Sequence, residues 1–389
     1  MDLKRIQESL KRQNLDGWLF FDHHGRDPLA YRVLGLGSAG HVTRRWYYFI
    51  PAHGEPVGLV HRIESKKLDA APGEKIFYSS WREQQDGLAK LLAGSKHVAM
   101  QYSPRCAIPY VAMVDAGTVE LVREFGVEVV SSAELIQEFE ACLNAEQFAS
   151  HLEAGRRMDM IRANAFRLIA DKLQSGIDEV TVADWMRAEF QKASLVTDSG
   201  PVVAVNAHAG DPHYEPTAAT SLRIQPGDFV LIDMWAKLHQ PGSVYYDITW
   251  TGYCGDAPER VRRVFEIVRD ARDQAVETLK TAVAAGRAIR GFEVDDAARG
   301  LIHASGFGDK FVHRTGHSIG EEVHGSGANM DNLETHDERR IVPGSLFSVE
   351  PGIYLEDFGV RSELNMFVGA GKAIVTGEVQ RELVRIVAL

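Results

Sequence analysis

The chain has 389 residues, long enough that two hydrophobic cores are expected rather than one. Apolar residues make up 45% and charged residues 25%, an ordinary globular composition, and 54 acids against 43 lysines and arginines give a net charge of −11. No Lys/Arg block offers phosphates a footprint, which argues against nucleic-acid binding. Three cysteines, Cys106, Cys142 and Cys254, are far apart and odd in number. That fits a reducing cytosol and gives neither a disulfide framework nor a CxxC zinc site.

In chain order, residues 2–14 read as an amphipathic helix with no apolar centre of signal-peptide length. A β-rich segment follows at 16–22 (DGWLFFD), then strand signals at WYYFIP and PVGLVH, a helix around 83–92 and a strand at HVAMQY. This alternation predicts a small α/β domain over residues 1–145. Gly35, Gly37 and Gly40 in GLGSAG spell GxGxxG, but the residues after them (HVTRRWYYFIP) are β-branched and aromatic. A dinucleotide fingerprint needs a helix there, so the glycines read as a loop.

Near 143–148 the character changes, and residues 146–389 are expected to form a second domain. Two helices (AEQFASHLEAGRRMDMIRANAFRLIADKL and TVADWMRAEFQKAS) precede a region dominated by β segments, itself interrupted by helices at about 257–285 and 293–304. The pattern predicts an α+β fold with helices outside an antiparallel sheet. No segment approaches 18 uninterrupted apolar residues, so no membrane association is expected, and the location reads as cytoplasmic.

Four acids and one histidine of this second region stand in apolar strand-like or glycine-marked segments: Asp233 in VLIDMW, Asp247 in VYYDITWTG, His317 in HRTGHSIGEEVHG, Glu350 in FSVEPGIY and Glu363 in GVRSELNMF. A carboxylate among Val, Ile, Leu and Phe is costly to bury without a compensating charge. Two predicted hairpins, each with an acid on both strands, can present all four carboxylates to one point, and His317 can reach it from a tight loop between Gly316 and Gly320. Oxygen-rich ligation with one imidazole suits divalent ions: manganese or cobalt foremost, zinc or iron as further options. Five ligands exceed the needs of one small ion and match a dinuclear centre, which activates a bridging water and polarises a carbonyl. For a single acid the plainer reading, a strand-end residue or ion-pair partner, would prevail; five in this order outweigh it.

The order Asp, Asp, His, Glu, Glu, with GHSIG around the histidine and VEPGIY around the first glutamate, resembles the pita-bread metallopeptidases: methionine aminopeptidases, aminopeptidase P, prolidases and the related creatinases. A preceding α/β domain of this length is similar to the creatinase/prolidase N-terminal domain. The resemblance implies a curved antiparallel sheet with outer helices in the second domain. It implies that Asp233 and Asp247 bind one ion, Asp247 also bridging, that His317 and Glu350 complete the shell of the second, and that Glu363 bridges both. Three further histidines match the family pattern: His213 in DPHYEP, His313 and His324, which would hydrogen-bond the substrate carbonyl or the developing oxyanion and shuttle protons. His208 competes with His213 for its place. Glu350 corresponds to the residue proposed as proton shuttle. Arg361, two residues before Glu363 on the same side of a strand, can steady a ligand carboxylate or the C-terminus of a substrate, or can form an ordinary surface ion pair.

The chain departs from the pattern at Trp250 (DITWT), at Met234-Trp235 after the first Asp, in a longer Asp–Asp loop and at Leu364. These changes are expected to alter the walls of the pocket. The resemblance implies a homodimer hydrolysing the Xaa-Pro bond of short peptides, as a dipeptidase or an aminopeptidase. The alternatives are a hydrolase of the same fold acting on a non-prolyl amide or ester, and a non-catalytic binding protein that reuses the fold.

Overall fold

The computed structural model describes residues 1–37 and 40–387. It divides into two compact units, Met1–Glu140 and Ala141–Leu389. In the first run α1 (Leu3–Arg12), β1 (Gly17–Asp22), α2 (Pro28–Leu34), β2 (Trp46–Pro51), β3 (Val57–His61), β4 (Glu74–Tyr78), α3 (Trp81–Leu92), β5 (His97–Met100), α4 (Ala116–Glu124), β6 (Glu128–Ser131) and α5 (Ala133–Ile136). The strands form one mixed sheet in the order β4-β3-β2-β1-β5-β6.

Strand β1 is buried along its whole length, as a near-continuous apolar run in a central strand should be. Its side chains alternate between faces. Trp18 and Phe20 pack with Ile6 and Leu10 of α1 and Leu29 of α2, whereas Leu19 and Phe21 pack with Leu88 of α3 and Val119 of α4. Gly35 caps the C-terminus of α2 in the left-handed conformation (φ 68°), where a side chain would be strained. The GLGSAG glycines therefore follow a helix and precede β2, in keeping with a loop; Ser38 and Ala39 within them lie outside the described residues.

The second unit contains α6 (Ala145–Lys172), α7 (Glu179–Lys192), β7 (Leu195–Val196), β8 (Val202–Val205), β9 (Phe229–Leu238), β10 (Tyr246–Cys254), α8 (Glu259–Ala284), α9 (Gly291–Ala304), β11 (Leu346–Val349), β12 (Gly352–Tyr354), β13 (Gly359–Arg361), β14 (Leu364–Gly369), β15 (Lys372–Thr376) and β16 (Val384–Ile386). One sheet runs β16-β10-β9-β7, with β8 also on β9; another runs β11-β14-β15; β12 and β13 form a separate pair. Pairing is antiparallel except between β10 and β16.

Helix α6 starts at a capping box in which Asn144 and Gln147 exchange side-chain-to-backbone hydrogen bonds. It lies so close to β10 that a Cβ on Gly155 would come within 2.7 Å of the Tyr246 ring. Ile232, Met234, Tyr246 and Ile248 point to α6 and α7, each buried aliphatic chain contributing about 1.5–3 kcal/mol. Leu231 belongs to the other core, with Val264 and Val268 of α8 and Val294 of α9. Strand parity thus places Asp233, Trp235, Asp247 and Thr249 on the face turned away from α6.

Candidate metal centre

Asp233 and Asp247 sit on the neighbouring strands β9 and β10. In the register Asp233 faces Thr249 and Asp247 faces Trp235, so the two acids are diagonal neighbours on one face. The second pair departs from the sequence expectation. Glu350 and Glu363 do not lie within paired strands: Glu350 follows β11, Glu363 precedes β14, and the ladder is interrupted between Val349↔Leu364 and Gly352↔Arg361. Pro351, which has no N–H to give to a ladder, stands in the gap. The freed backbone binds elsewhere. Glu350 N donates to Thr315 O (2.7 Å) and Glu363 N to Thr249 O (3.1 Å), tying this hairpin to the histidine loop and to β10.

The histidine segment runs alongside β11. Ser348 N donates to His317 O (2.9 Å) and His317 N to Ser348 Oγ (3.0 Å). A Cβ on Gly316 would lie 1.9 Å from Ser348 O, so only glycine permits this approach. His317 Nδ1 is 3.1 Å from Ser318 O, which places the proton there and leaves Nε2 toward Asp247 (3.4 Å) and Glu350 (3.3 Å). A neutral imidazole held this way is the form that ligates metals.

Asp247, His317 and Glu363 are all buried, and one donor atom from each lies within 4.8 Å of the others. Asp233, Glu350, Arg361, His213, His313 and His324 line the same cavity, of about 620 Å³. His208 is elsewhere: its Nδ1 pairs with Glu179 Oε1 at 2.9 Å and its ring stacks on Tyr214. His213 is exposed at the cavity wall.

Burial, followed by repulsion from the other acids, pushes Asp247 and Glu363 well above the usual carboxylate range. Burial also raises Asp233, against the pull of Arg361. Glu350 goes the other way, because His317, His313 and Arg361 outweigh its burial and lower its pKa. Burial lowers His313 and His317. His324 is crowded by protein though open to solvent at its edge; desolvation, then His317 and Arg314, lower its pKa.

Arg361 is 7% exposed, which removes the surface ion pair from its options. It donates from Nη2 to Asp233 Oδ2, from Nη1 to Tyr354 OH (3.0 Å) and from Nε to Thr249 Oγ1 (3.0 Å). Thr249 Oγ1 in turn lies 3.0 Å from Asp233 Oδ1 and 2.9 Å from Glu363 Oε2. Tyr354 OH also reaches His313 Nε2 (2.7 Å). Thr249, Tyr354 and Ser348, whose hydroxyl donates to Glu350 (3.0 Å), escaped the sequence reading. Thr249 was accessible to it, since it stands two residues from Asp247 and so on the same face of the strand. Tyr354 and Ser348 carried no such signal.

Trp250 corrects another expectation. It does not line the cavity. It lies on the opposite face, packed with the α6–α7 core, where the Arg162 guanidinium sits 3.5 Å from its ring centroid. Parity decides this, because Trp250 alternates with Thr249 and Thr251. Trp235 does line the cavity, and its Nε1 donates to Asp198 Oδ1 (2.8 Å).

The donor set fits divalent ions on two counts. Glu363 Oε1 is buried and has no hydrogen-bond partner among the described residues, an arrangement that costs about 1–3 kcal/mol or more for a charged group. Four ionised carboxylates opposed by the single buried Arg361 would leave strong net negative charge in a low-dielectric cavity, and two divalent cations would more than offset it.

This combination of curved sheet, outer helices and converging Asp, Asp, His, Glu and Glu side chains is that of the pita-bread metallopeptidases. The model of metallopeptidase family M24 matches residues 153–370, more than half of the chain, and the chain belongs to that family. Among curated relatives, an Xaa-Pro dipeptidase of Lactobacillus delbrueckii subsp. lactis is 30% identical over 214 residues, 54% of this chain and 53% of the relative. The Xaa-Pro dipeptidase of Pyrococcus furiosus is 28% identical over 275 residues, 66% of this chain and 74% of the relative. The chain spans about half the length of the first curated relatives it matches. Among solved structures, dipeptidase PepE from Mycobacterium ulcerans superposes with a TM-score of 0.76 at 23% identity, covering 99% of this chain and 96% of that one. The prolidase of Thermococcus sibiricus gives 0.67 at 22% identity, with 98% of each chain covered.

Proposed function

We propose that this protein hydrolyses short peptides at the Xaa-Pro bond with two divalent ions, held by Asp233, Asp247, His317, Glu350 and Glu363. The observation that carries the reading is the convergence of Asp247, His317 and Glu363 within 4.8 Å, with the other two acids in the same cavity. Asp247 and Glu363, together with Asp233, His317 and Glu350, would hold the ions. When bound they supply Lewis acidity toward the scissile carbonyl and make water acidic enough to attack near neutral pH.

The chain's own groups would do the rest. Glu350, which accepts from Ser348 Oγ at 3.0 Å and lies 3.3 Å from His317 Nε2, would accept the proton of the attacking water and return it to the leaving imide nitrogen of proline. His324, neutral because its pKa is lowered, can donate one N–H to the developing oxyanion without adding charge, and His213 at the cavity wall can orient the substrate. His313, hydrogen-bonded to Tyr354, can relay protons at the cavity edge. Arg361 holds Asp233 in its ligating position rather than meeting solvent.

The oxygen-rich donors favour manganese or cobalt over softer ions. A first unit serving as a prolidase-type N-terminal domain, a homodimeric assembly and a cytoplasmic site of action complete the proposal. The described helices include none long and apolar enough to cross a membrane. The deciding test is hydrolysis of Xaa-Pro dipeptides, Xaa-Pro tripeptides and Xaa-Ala dipeptides by the manganese- or cobalt-loaded protein. Cleavage of the prolyl substrates above the alanyl ones is expected. Equal cleavage of both would remove proline from the reading, and no cleavage with stoichiometric metal bound would remove peptidase activity.

A further inference from the structure

A second cavity, of about 510 Å³, lies wholly within the first unit and has the opposite electrostatic character. Arg26, Arg44, Arg45, His23 and His61 line it, against the single acid Asp115. That acid is already committed: its carboxylate accepts from Thr118 N and Thr118 Oγ1, both at 2.9 Å, as the N-cap of α4. The nearby carboxylate of Asp22 is likewise consumed, by the backbone N–H groups of Gly25, Arg26 and Asp27 and by the Tyr31 hydroxyl. Glu64 accepts from Thr43 N and Thr43 Oγ1.

The guanidinium groups have no acidic partner, although Arg45 also reaches the buried Tyr47 hydroxyl. Arg44 donates only to Thr43 O and Oγ1, and none of the three arginines forms an ion pair among the described residues. His61 is spent, with Nδ1 accepting from Ile63 N and Nε2 on Ser79 O. His23 reports the local field: burial, then the charges of His24, Arg26 and Arg45, pull its pKa down. Ser79 and Trp81 belong to the start of α3, and Asp115 and Thr118 to the start of α4. The N-terminal ends of both helices therefore border the cavity, each already capped by a carboxylate, Glu83 on α3 and Asp115 on α4, so the positive character of the cavity rests on the arginines. Trp81, 57% exposed and with the Arg82 guanidinium 4.4 Å from its ring centroid, offers its remaining face as an apolar wall beside these cations.

We infer that this cavity binds a small phosphate-bearing molecule, its phosphate on Arg26, Arg44 and Arg45 and its organic part against Trp81. Guanidinium groups match phosphate oxygens in charge and in fork geometry. A volume near 500 Å³ falls in the range of about 300–1,000 Å³ usual for small-ligand sites. A chain of net charge −11 that concentrates unpaired arginines in one concavity suits a compact anion better than a long polyanion. Nucleoside phosphates and sugar phosphates share this chemistry. The inference stands apart from the peptidase reading, because no residue of the acidic cavity takes part.

The test is isothermal titration calorimetry of the full-length, metal-loaded protein with inorganic phosphate, ADP and fructose 1,6-bisphosphate. Saturable binding is expected, weakened about tenfold or more in Arg44→Glu/Arg45→Glu, since each charge-assisted hydrogen bond is worth about 1.5–3 kcal/mol. If that variant fails to fold, Arg44→Gln/Arg45→Gln takes its place. ADP binding that weakens further in Trp81→Ala marks a nucleoside phosphate; a preference for the bisphosphate that weakens in the same variant marks a sugar phosphate, and binding that ignores Trp81→Ala overturns the placement of the organic part. Binding that survives the arginine substitutions, or that disappears in Asp247→Ala, would place the anion in the metal cavity and overturn the inference. So would a titration in which none of the three binds.

Discussion

The two cavities of this protein carry opposite charge and handle it in opposite ways. In the second unit the carboxylates are buried, repel one another, and are held by one buried arginine and a network of hydroxyls. In the first unit the arginines stand at the surface, where water screens them and no compensating acid is required. Buried like charges must be coupled to stability and to metal, whereas exposed ones need be coupled to neither.

The largest effect should come from Asp247→Asn. It is expected to lower kcat/KM on an Xaa-Pro dipeptide by about 10³-fold or more, because the proposed metal centre would lose one of its five donors. The same substitution should raise the melting temperature of the metal-free protein by several degrees, since about 1–3 kcal/mol of buried repulsion disappears. Calorimetry with and without metal checks the pair of results; a lower metal-free melting temperature would break the account of the cavity. Arg44→Glu/Arg45→Glu should leave the metal-free melting temperature nearly unchanged, which sharpens the contrast.

Stability of the metal-free protein should fall as pH rises above about 5. Asp247 and Glu363 have folded-state pKa values raised above their unfolded ones. Their contribution is therefore complete below the unfolded pKa and is lost as pH climbs through the folded values. Metal binding must displace those protons, so affinity should rise with pH over the same interval. A separate loss is expected on the acid side. His151, fully buried between Tyr245 O and Thr376 Oγ1 (both 2.7 Å), has its pKa lowered from 6.5 to about 4 by burial. A depressed histidine gives stability that is present above the unfolded pKa and is lost as pH falls toward the folded one, here about 3 kcal/mol. Urea titrations across this range, with His151→Gln flattening the acid limb, measure it.

Arg361→Met should weaken metal binding by about 10–100-fold by releasing Asp233. Thr249→Val should cost about tenfold through the loss of a hydroxyl shared by Asp233 and Glu363. Competition with a metal indicator dye reads both. The smallest effect belongs to Trp250→Phe, which should leave KM within about twofold, the change lying in the packing behind the sheet. Trp235→Phe, in the cavity wall, should shift KM more. A reversal of that order would contradict the strand parity described above.

Much of this arrangement was legible in the chain. The apolar run of β1, the long helices α6 and α8, and the acids in VLIDMW and VYYDITWTG follow from periodicity and from the cost of burying charge. The strand after GLGSAG was readable from its flanking residues, whereas the helix α2 before it was not read from the sequence. The face chosen by Trp250 was open to the same period-two rule, yet its departure from the family pattern suggested a place in the pocket wall. The break at Glu350-Pro351 and Ser362-Glu363 was not legible as a break, because its stability comes from hydrogen bonds to Thr315 and Thr249, far away in the chain.

Local sequence by itself determined which residue types could bind metal and which strands would carry the first two of them, since side-chain chemistry and strand alternation act over a few residues. Only the tertiary structure decided that Thr249 and Tyr354 would join Arg361 and the carboxylates in one network, that His213 rather than His208 would face the cavity, and that three arginines of the first unit would gather around one committed acid. Those outcomes depend on which distant backbones pack together, and no short-range pattern encodes them.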